Sequence, residues 1–340
     1  MDFPGDAPQN DRQNLSVQEG QGDAPSNRTV PLSSSPRVWA IGGGKGGVGK
    51  SVITANMAVS LASRGKRCVL IDADLGGANL HTLIGMSSPR HTLSEFFRRD
   101  GASLKDIVLP TAYENLFLIS GARALLDMAN PAHAQKMKFI RQLSTLDLDH
   151  IFVDLGAGSS FTVMDFFLAA REQVMVVAPT PTSVENAYHF LRAVFYRNLR
   201  QAIQKAGVRH LVDKVLEEKV KRGVRSPRDL MRHIAEACPQ SAPQLADGLN
   251  VFAPRLVINQ ARRPEDRVLG DRMATACRDF FGADVACGGQ IQNDDRVLQA
   301  IQARRPALEM FPDSPFSLSL HSTITRLLGQ QEVASWTQDS

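Results

Sequence analysis

Six glycines, two lysines and a hydroxyl are packed into the ten residues GGGKGGVGKS at 42–51, the segment of this chain best suited to chemistry. From Gly44 to Ser51 the spacing is G-x-x-x-x-G-K-[ST], placed after the apolar run RVWAIG and before a helix that opens through Val52. Glycine at 44, 46, 47 and 49 lets successive backbone N–H groups, Val48's included, curl around phosphate oxygens at the positive end of that helix. Lys50 would reach the β and γ phosphates, and the Ser51 hydroxyl would coordinate Mg²⁺. Two acidic elements follow in the order such a site needs. RCVLIDAD ends in Asp72 and Asp74, whose alternate spacing turns both to one side of a strand end, and HIFVDLGAG ends its apolar run in Asp154. Asp154 would serve Mg²⁺, and a carboxylate facing that cation is expected to hold its charge.

Parallel strands are what can present these groups at one edge. The runs VWAIG, RCVLIDAD, LFLISG, HIFVDLG, QVMVVAPT and PRLVINQ are nearly continuous in large apolar residues, and helical spacing follows them, as in SVITANMAVSLASRG. Strands of that kind belong in a sheet covered on both faces, so the expected fold is α/β, doubly wound and mostly parallel. Residues 1–35 are rich in Asp, Gln, Asn, Ser, Pro and Gly and read as a disordered tail. The folded domain is expected over 36–329, with a flexible tail at 330–340. A helix opening near Thr182 leads into a charged, strand-poor stretch at 207–250, which reads as an inserted helical pair or triple. Its Lys and Arg residues could form a docking face, although charge on helices ordinarily faces water.

Bulk properties narrow the alternatives. There are 39 basic and 35 acidic residues, a net charge of +4 over 340 residues, which permits weak contact with nucleic acid or anionic lipid without implying it. The four cysteines form no C-x-x-C pair, which argues against a zinc site or disulfide framework and fits a reducing cytosol. The N-terminus lacks the pattern of an export signal, so a cytoplasmic location is expected.

KGGVGKS, with Lys45 directly after Gly44, resembles the deviant Walker A motif of the MinD/ParA ATPases, and DADLGGAN resembles their switch I, D-x-D-x-x-x-x-N. The resemblance implies a P-loop ATPase that dimerises around ATP and Mg²⁺, with Lys45 reaching across the dimer to the partner's nucleotide. It further implies that Asp74 positions the attacking water, Asp72 sits near the outer shell of the metal and Asn79 contacts the nucleotide. For the base it implies Asn259 of PRLVINQ, and Ile291, Asn293 and Asp294 of GGQIQNDDRV, where Gln292 stands in place of the usual Pro. No N-K-x-D guanine-reading motif is present, so ATP is expected rather than GTP.

The stretches DLGAGSSFTVMDFF, PTPTSVENAYHFL and IQNDDRVLQAIQARRPALEMFPDSP carry the similarity closest to the FlhG/FleN branch, regulators of flagellar number. That likeness implies a protein target such as an FlhF-like GTPase or a transcription regulator, although the tail lacks D-Q-A-x-x-L-R and the insertion is longer than usual for the branch. Other branches imply other roles: a MinD-like regulator of septum placement, a ParA-like partition ATPase using Lys214, Lys219, Lys221, Arg222, Arg225 and Arg228 on DNA, or an iron–sulfur carrier, which normally needs C-x-x-C. Phe316, Leu320, Ile324, Leu327 and Leu328 share one face of a C-terminal helix. With Arg326 as the sole cation opposite, docking on the sheet is favoured over peripheral contact with the inner face of the membrane.

Overall fold

The computed structural model describes residues 35–329 except 75–76, 88, 90, 99–101, 122–130 and 218–222. The tails expected at 1–35 and 330–340 lie outside the described residues, Ser35 excepted. Eight strands are present among them: β1 (Arg37–Gly42), β2 (Cys68–Ala73), β3 (Leu109–Pro110), β4 (Leu116–Ile119), β5 (His150–Leu155), β6 (Glu172–Val177), β7 (Arg255–Ala261) and β8 (Ala286–Gln292). They form one sheet in the order β3-β4-β2-β5-β1-β6-β7-β8, parallel throughout except for the β3–β4 edge pair. The phosphate-loop strand β1 is therefore central, flanked by β5 and β6.

Alternation along the strands builds two cores. Trp39, Ile41 and Phe152 point to a face covered by α1 (Lys50–Ala62) and the C-terminal helix α13 (Pro315–Leu328). Ala40, Ile151 and Val153 point to the opposite face, which holds α4 (His133–Leu143), α5 (Phe161–Ala169), α6 (Pro181–Ala206) and α10 (Asp266–Phe281). Between α6 and β7 the insertion folds as α7 (Arg209–Glu217), α8 (Pro227–Ala237) and α9 (Ala242–Leu249), the triple of the two expected alternatives. Pro181 at the first turn fixes the start of α6, and Gly207 at φ 69° ends it. At 26 residues, α6 is about 39 Å long.

The C-terminal helix behaves as its sequence suggests. Phe316, Leu320, Ile324, Leu327 and Leu328 are all buried, so the apolar face is spent on the sheet. The contact is close at β8, where a Cβ on Gly288 would stand 2.8 Å from a methyl of Leu327 and one on Gly289 2.6 Å from the Thr323 hydroxyl. No described helix is long and apolar enough to cross a membrane.

One buried polar pair gives the fold a pH signature. Trp39 Nε1 donates to His150 Nδ1 at 3.2 Å, and burial pushes the imidazole down to about 4. A base held below its unfolded value of about 6.5 supports the fold fully above that value and loses the contribution as pH falls towards 4. Other buried acids titrate in the same range, so the informative comparison is between proteins. We expect His150→Gln, which keeps an acceptor for the indole but cannot titrate, to gain about 2 kcal/mol relative to the parent between pH 7.5 and pH 5.0. Thermal unfolding midpoints at the two pH values measure it, and parallel shifts in both proteins would contradict it.

Candidate nucleotide site

The phosphate loop is set by two close approaches. Gly49 precedes α1 with φ 91°, a conformation that places the N–H groups of Lys50, Ser51 and Val52 at a free helix start. At the other end Gly44 lies against α6: a Cβ there would fall 2.3 Å from the carbonyl carbon of Asn186 and 2.5 Å from the nitrogen of Ala187. The two lysines diverge. Lys50 is buried to 8% exposure, while Lys45 extends along the surface and donates from Nζ to Thr182 Oγ1 at 3.0 Å.

The carboxylates converge because their strands are in register. Asp72 of β2 stands beside Asp154 of β5, both on the α1 face. Asp154 accepts from Thr54 Oγ1 at 3.2 Å and from the Ser51 hydroxyl, with Lys50 close enough to favour its charge. The two residues expected to serve Mg²⁺ are thus brought together, and an oxygen pair at the foot of the phosphate loop suits a hard cation. Burial pushes Asp154 up to about 6 against the opposing effects of Ser51, Lys50 and Thr54, and burial with the neighbouring Asp154 charge pushes Asp72 up to about 7.

Asp72, expected near the outer shell of the metal, also fastens the loop that follows it. Its carboxylate, 1% exposed, accepts from the backbone N of Asp74 at 3.3 Å and of Leu80 at 3.0 Å, so it closes the switch loop onto the strand end. Asp74 is carried on that loop, its carboxylate beside Gly77 and Gly156. A Cβ on Gly156 would be 3.2 Å from Asp74 Oδ1, which is why the turn after Asp154 is small. Asn79 is exposed and its amide donates to Gly77 O at 2.6 Å, placing it on the same loop.

A cavity of about 380 Å³ continues from Gly47, Gly49 and Val52 across the ends of β7 and β8 to α11 (Arg296–Gln302). Asn259, Asn293 and Asp294, the polar residues expected at the base, line it. Their bonds refine that expectation. Asn259 is 6% exposed and its amide donates to Val48 O at 2.8 Å, so it clamps the phosphate loop from beneath. Asp294 is pinned by the side chain and backbone of Arg296, both at 3.0 Å, and these bonds hold it below the usual carboxylate range against the opposing effect of burial. Asn293 Oδ1 accepts from Arg262 at 3.2 Å.

Ile291 is a correction: it is fully buried in the core and does not line the cavity, because strand alternation turns it inward. Val48 is likewise buried at 1%, contributing its backbone alone. Sequence reasoning missed Gln260, Gln292, Leu298 and Phe316 as lining residues, and Thr54 on Asp154. Thr54 was findable, since it lies one helical turn beyond Lys50 on the same face. Leu298 and Phe316 come from helices that only the tertiary fold brings to the cavity.

The chain is similar in sequence and fold to proteins of one group. A family model described as NUBPL iron-transfer P-loop NTPase, of the ParA group, matches residues 35–203. The antiactivator FleN of Pseudomonas aeruginosa is 28% identical over 303 residues, covering 88% of this chain and 87% of that protein. The flagellum site-determining protein YlxH of Helicobacter pylori is 36% identical over 152 residues, which is 44% of this chain and 50% of that protein. Among solved structures, the septum site-determining protein MinD of Pyrococcus horikoshii, complexed with Mg-ADP, superposes with a TM-score of 0.58 at 21% identity, covering 85% of this chain and 94% of that one. At that identity the likeness is one of fold.

Proposed function

Because the chain belongs to the ParA/MinD family of P-loop NTPases, we propose that it is an ATP-driven dimerising switch that controls the number or placement of a cellular structure, flagella in particular. The convergence of Ser51 and Asp154 at the foot of a glycine-rich helix start supports the nucleotide part of this reading. A bound Mg²⁺, held through Ser51 and Asp154, would neutralise triphosphate charge. Lys50 and the backbone amides of 44–51 bind the phosphates, Asp74 orients water at the γ-phosphorus, and the base enters the cavity lined by Asn293 and Asp294.

Lys45 supplies the switch. Its single hydrogen bond to Thr182 is exposed to solvent and worth about 1 to 2 kcal/mol, so a second subunit's triphosphate readily displaces it. In a closed dimer this lysine counters charge spreading over the transferred phosphoryl group, as an arginine finger does in related switches. Basal turnover is slow, on the order of 10⁻⁴ to 10⁻² s⁻¹, until a partner accelerates it. The flagellar target is favoured by the YlxH likeness, and FleN's designation as an antiactivator favours a transcription regulator as partner over an FlhF-like GTPase. An iron–sulfur role is disfavoured by the dispersed cysteines, of which Cys277 is buried and pushed up to about 11.

The test is sedimentation of the Asp74→Ala protein, slowed in hydrolysis, with and without ATP and Mg²⁺. Dimers are expected with ATP and monomers without. A monomer at every nucleotide concentration would reject the switch.

A further inference from the structure

A larger recess lies away from the nucleotide site, inside the insertion. The second half of α6 forms its floor and α7 and α8 its walls, enclosing about 610 Å³. That is within the range of sites that seat a ligand group of substantial size. Leu199, Ile203, Val212 and Leu230 make the interior apolar, and Tyr196, 42% exposed, stands at the edge. Three exposed guanidinium groups, those of Arg200, Arg209 and Arg225, join them, and no Asp or Glu lines the recess among the described residues. None of the three forms an ion pair among the described residues. The nearby Asp229 is committed to the helix cap of α8, accepting from the backbone of Arg225 and Ser226 and from Arg232.

We propose that this recess is a docking site for an acidic segment of a protein partner, which seats one large apolar side chain inside and lays flanking carboxylates on Arg200, Arg209 and Arg225. The charge is one-sided among the described residues, where three cations surround an apolar interior without an acid among them. Concavity argues for a peptide over a bilayer, because membrane insertion needs apolar groups that protrude, and here they line a hollow. It also argues against nucleic acid, whose phosphates are tracked by a continuous cationic groove in which an apolar pit serves no purpose.

Position adds a functional link. Arg200 also borders the depression beside Phe161, which opens α5 directly after the turn following Asp154. Arg197, one turn from the recess, is tied through Asp165 to Lys136, both bonds within 2.9 Å. From Arg200 the same helix runs about 21 Å back to Asn186, against which Gly44 is packed. One continuous helix thus joins the recess to the phosphate loop.

The test uses the full-length protein and random 12-residue peptides displayed on phage, with counter-selection on R200E/R209E/R225E. These side chains are exposed, so the variant is expected to melt with the parent. Enriched peptides should carry a Trp, Phe or Leu flanked by at least two Asp or Glu. A fluorescein-labelled synthetic peptide of that consensus should bind the parent in the micromolar range and the variant at least tenfold more weakly. The proposal is overturned if the selected peptides show no acidic character, or bind parent and variant alike. It is equally overturned if the triple substitution abolishes instead sedimentation with phosphatidylglycerol vesicles or self-association of the chain. Binding is read by anisotropy without nucleotide, so its failure leaves the ATPase reading untouched.

Discussion

Lys45→Ala is expected to bind ATP with little change and to lose its hydrolysis by about a hundredfold or more. The expectation rests on how differently the two loop lysines are placed. Lys50 is buried at the start of α1 beside Asp154, where under the proposed function it would meet the triphosphate of its own subunit in the ground state. Lys45 points away along the surface to Thr182, and removing it costs the isolated subunit no more than one exposed hydrogen bond. A group that touches the phosphates only in the closed dimer contributes to turnover and not to binding. Equilibrium binding of a fluorescent ATP analogue, alongside single-turnover phosphate release, separates the two effects. Thr182→Ala is the control, since it frees the lysine without removing its charge and should leave turnover near that of the parent. Unchanged phosphate release by Lys45→Ala would remove the trans-acting lysine from the mechanism.

What the sequence disclosed follows from how each residue acts. A residue that acts through its backbone conformation or its place at a strand end leaves a local signature. The loop 42–51, the end of β2 and the end of β5 were legible because glycines, a terminal carboxylate and continuous apolar runs are readable within ten residues. The central strands were legible for the same reason. β8 was not visible as an apolar run, because ACGGQIQ has given up side chains at Gly288 and Gly289 to let α13 approach. The edge strand β3, two residues long, is too short to carry any pattern.

Roles that depend on long-range partners were hidden. Asn259 reads as a polar residue at a strand end, and nothing nearby in sequence announces that its amide supports Val48, 211 residues earlier. Asp72 reads as half of an acidic pair, yet the buried bonds to Asp74 and Leu80 make it the fastening of the switch loop. The basic residues of the insertion were visible as charge, but their spacing does not say which of them share a recess. Of those considered for DNA contact, Arg225 faces the recess, Arg228 lies 3.9 Å from Asp279, and Lys219, Lys221 and Arg222 fall outside the described residues.

At Gly44 the loop and α6 leave no room for a methyl group. An added Cβ would stand 2.3 to 2.5 Å from three backbone atoms of Asn186 and Ala187, well inside van der Waals contact. A flexible side chain could swing aside, but helix backbone cannot. Gly44→Ala must therefore push the loop off α6 or push α6 off the sheet. Overpacking of this kind costs about 1 to 3 kcal/mol or more, and the helix is anchored by Phe190, Leu191, Val194 and Phe195, so the loop yields first. A loop lifted by a few tenths of an ångström no longer aims its N–H groups at one phosphate, and Lys45 loses its starting position over Thr182. We expect ATP affinity to fall at least tenfold while the circular dichroism spectrum stays that of the parent and the melting temperature falls by only a few degrees. Gly46→Ala, whose Cβ meets nothing within 4 Å, is the matched control and should bind ATP far better. Equal affinity in the two variants would mean that the contact between the loop and α6 does not shape the nucleotide site.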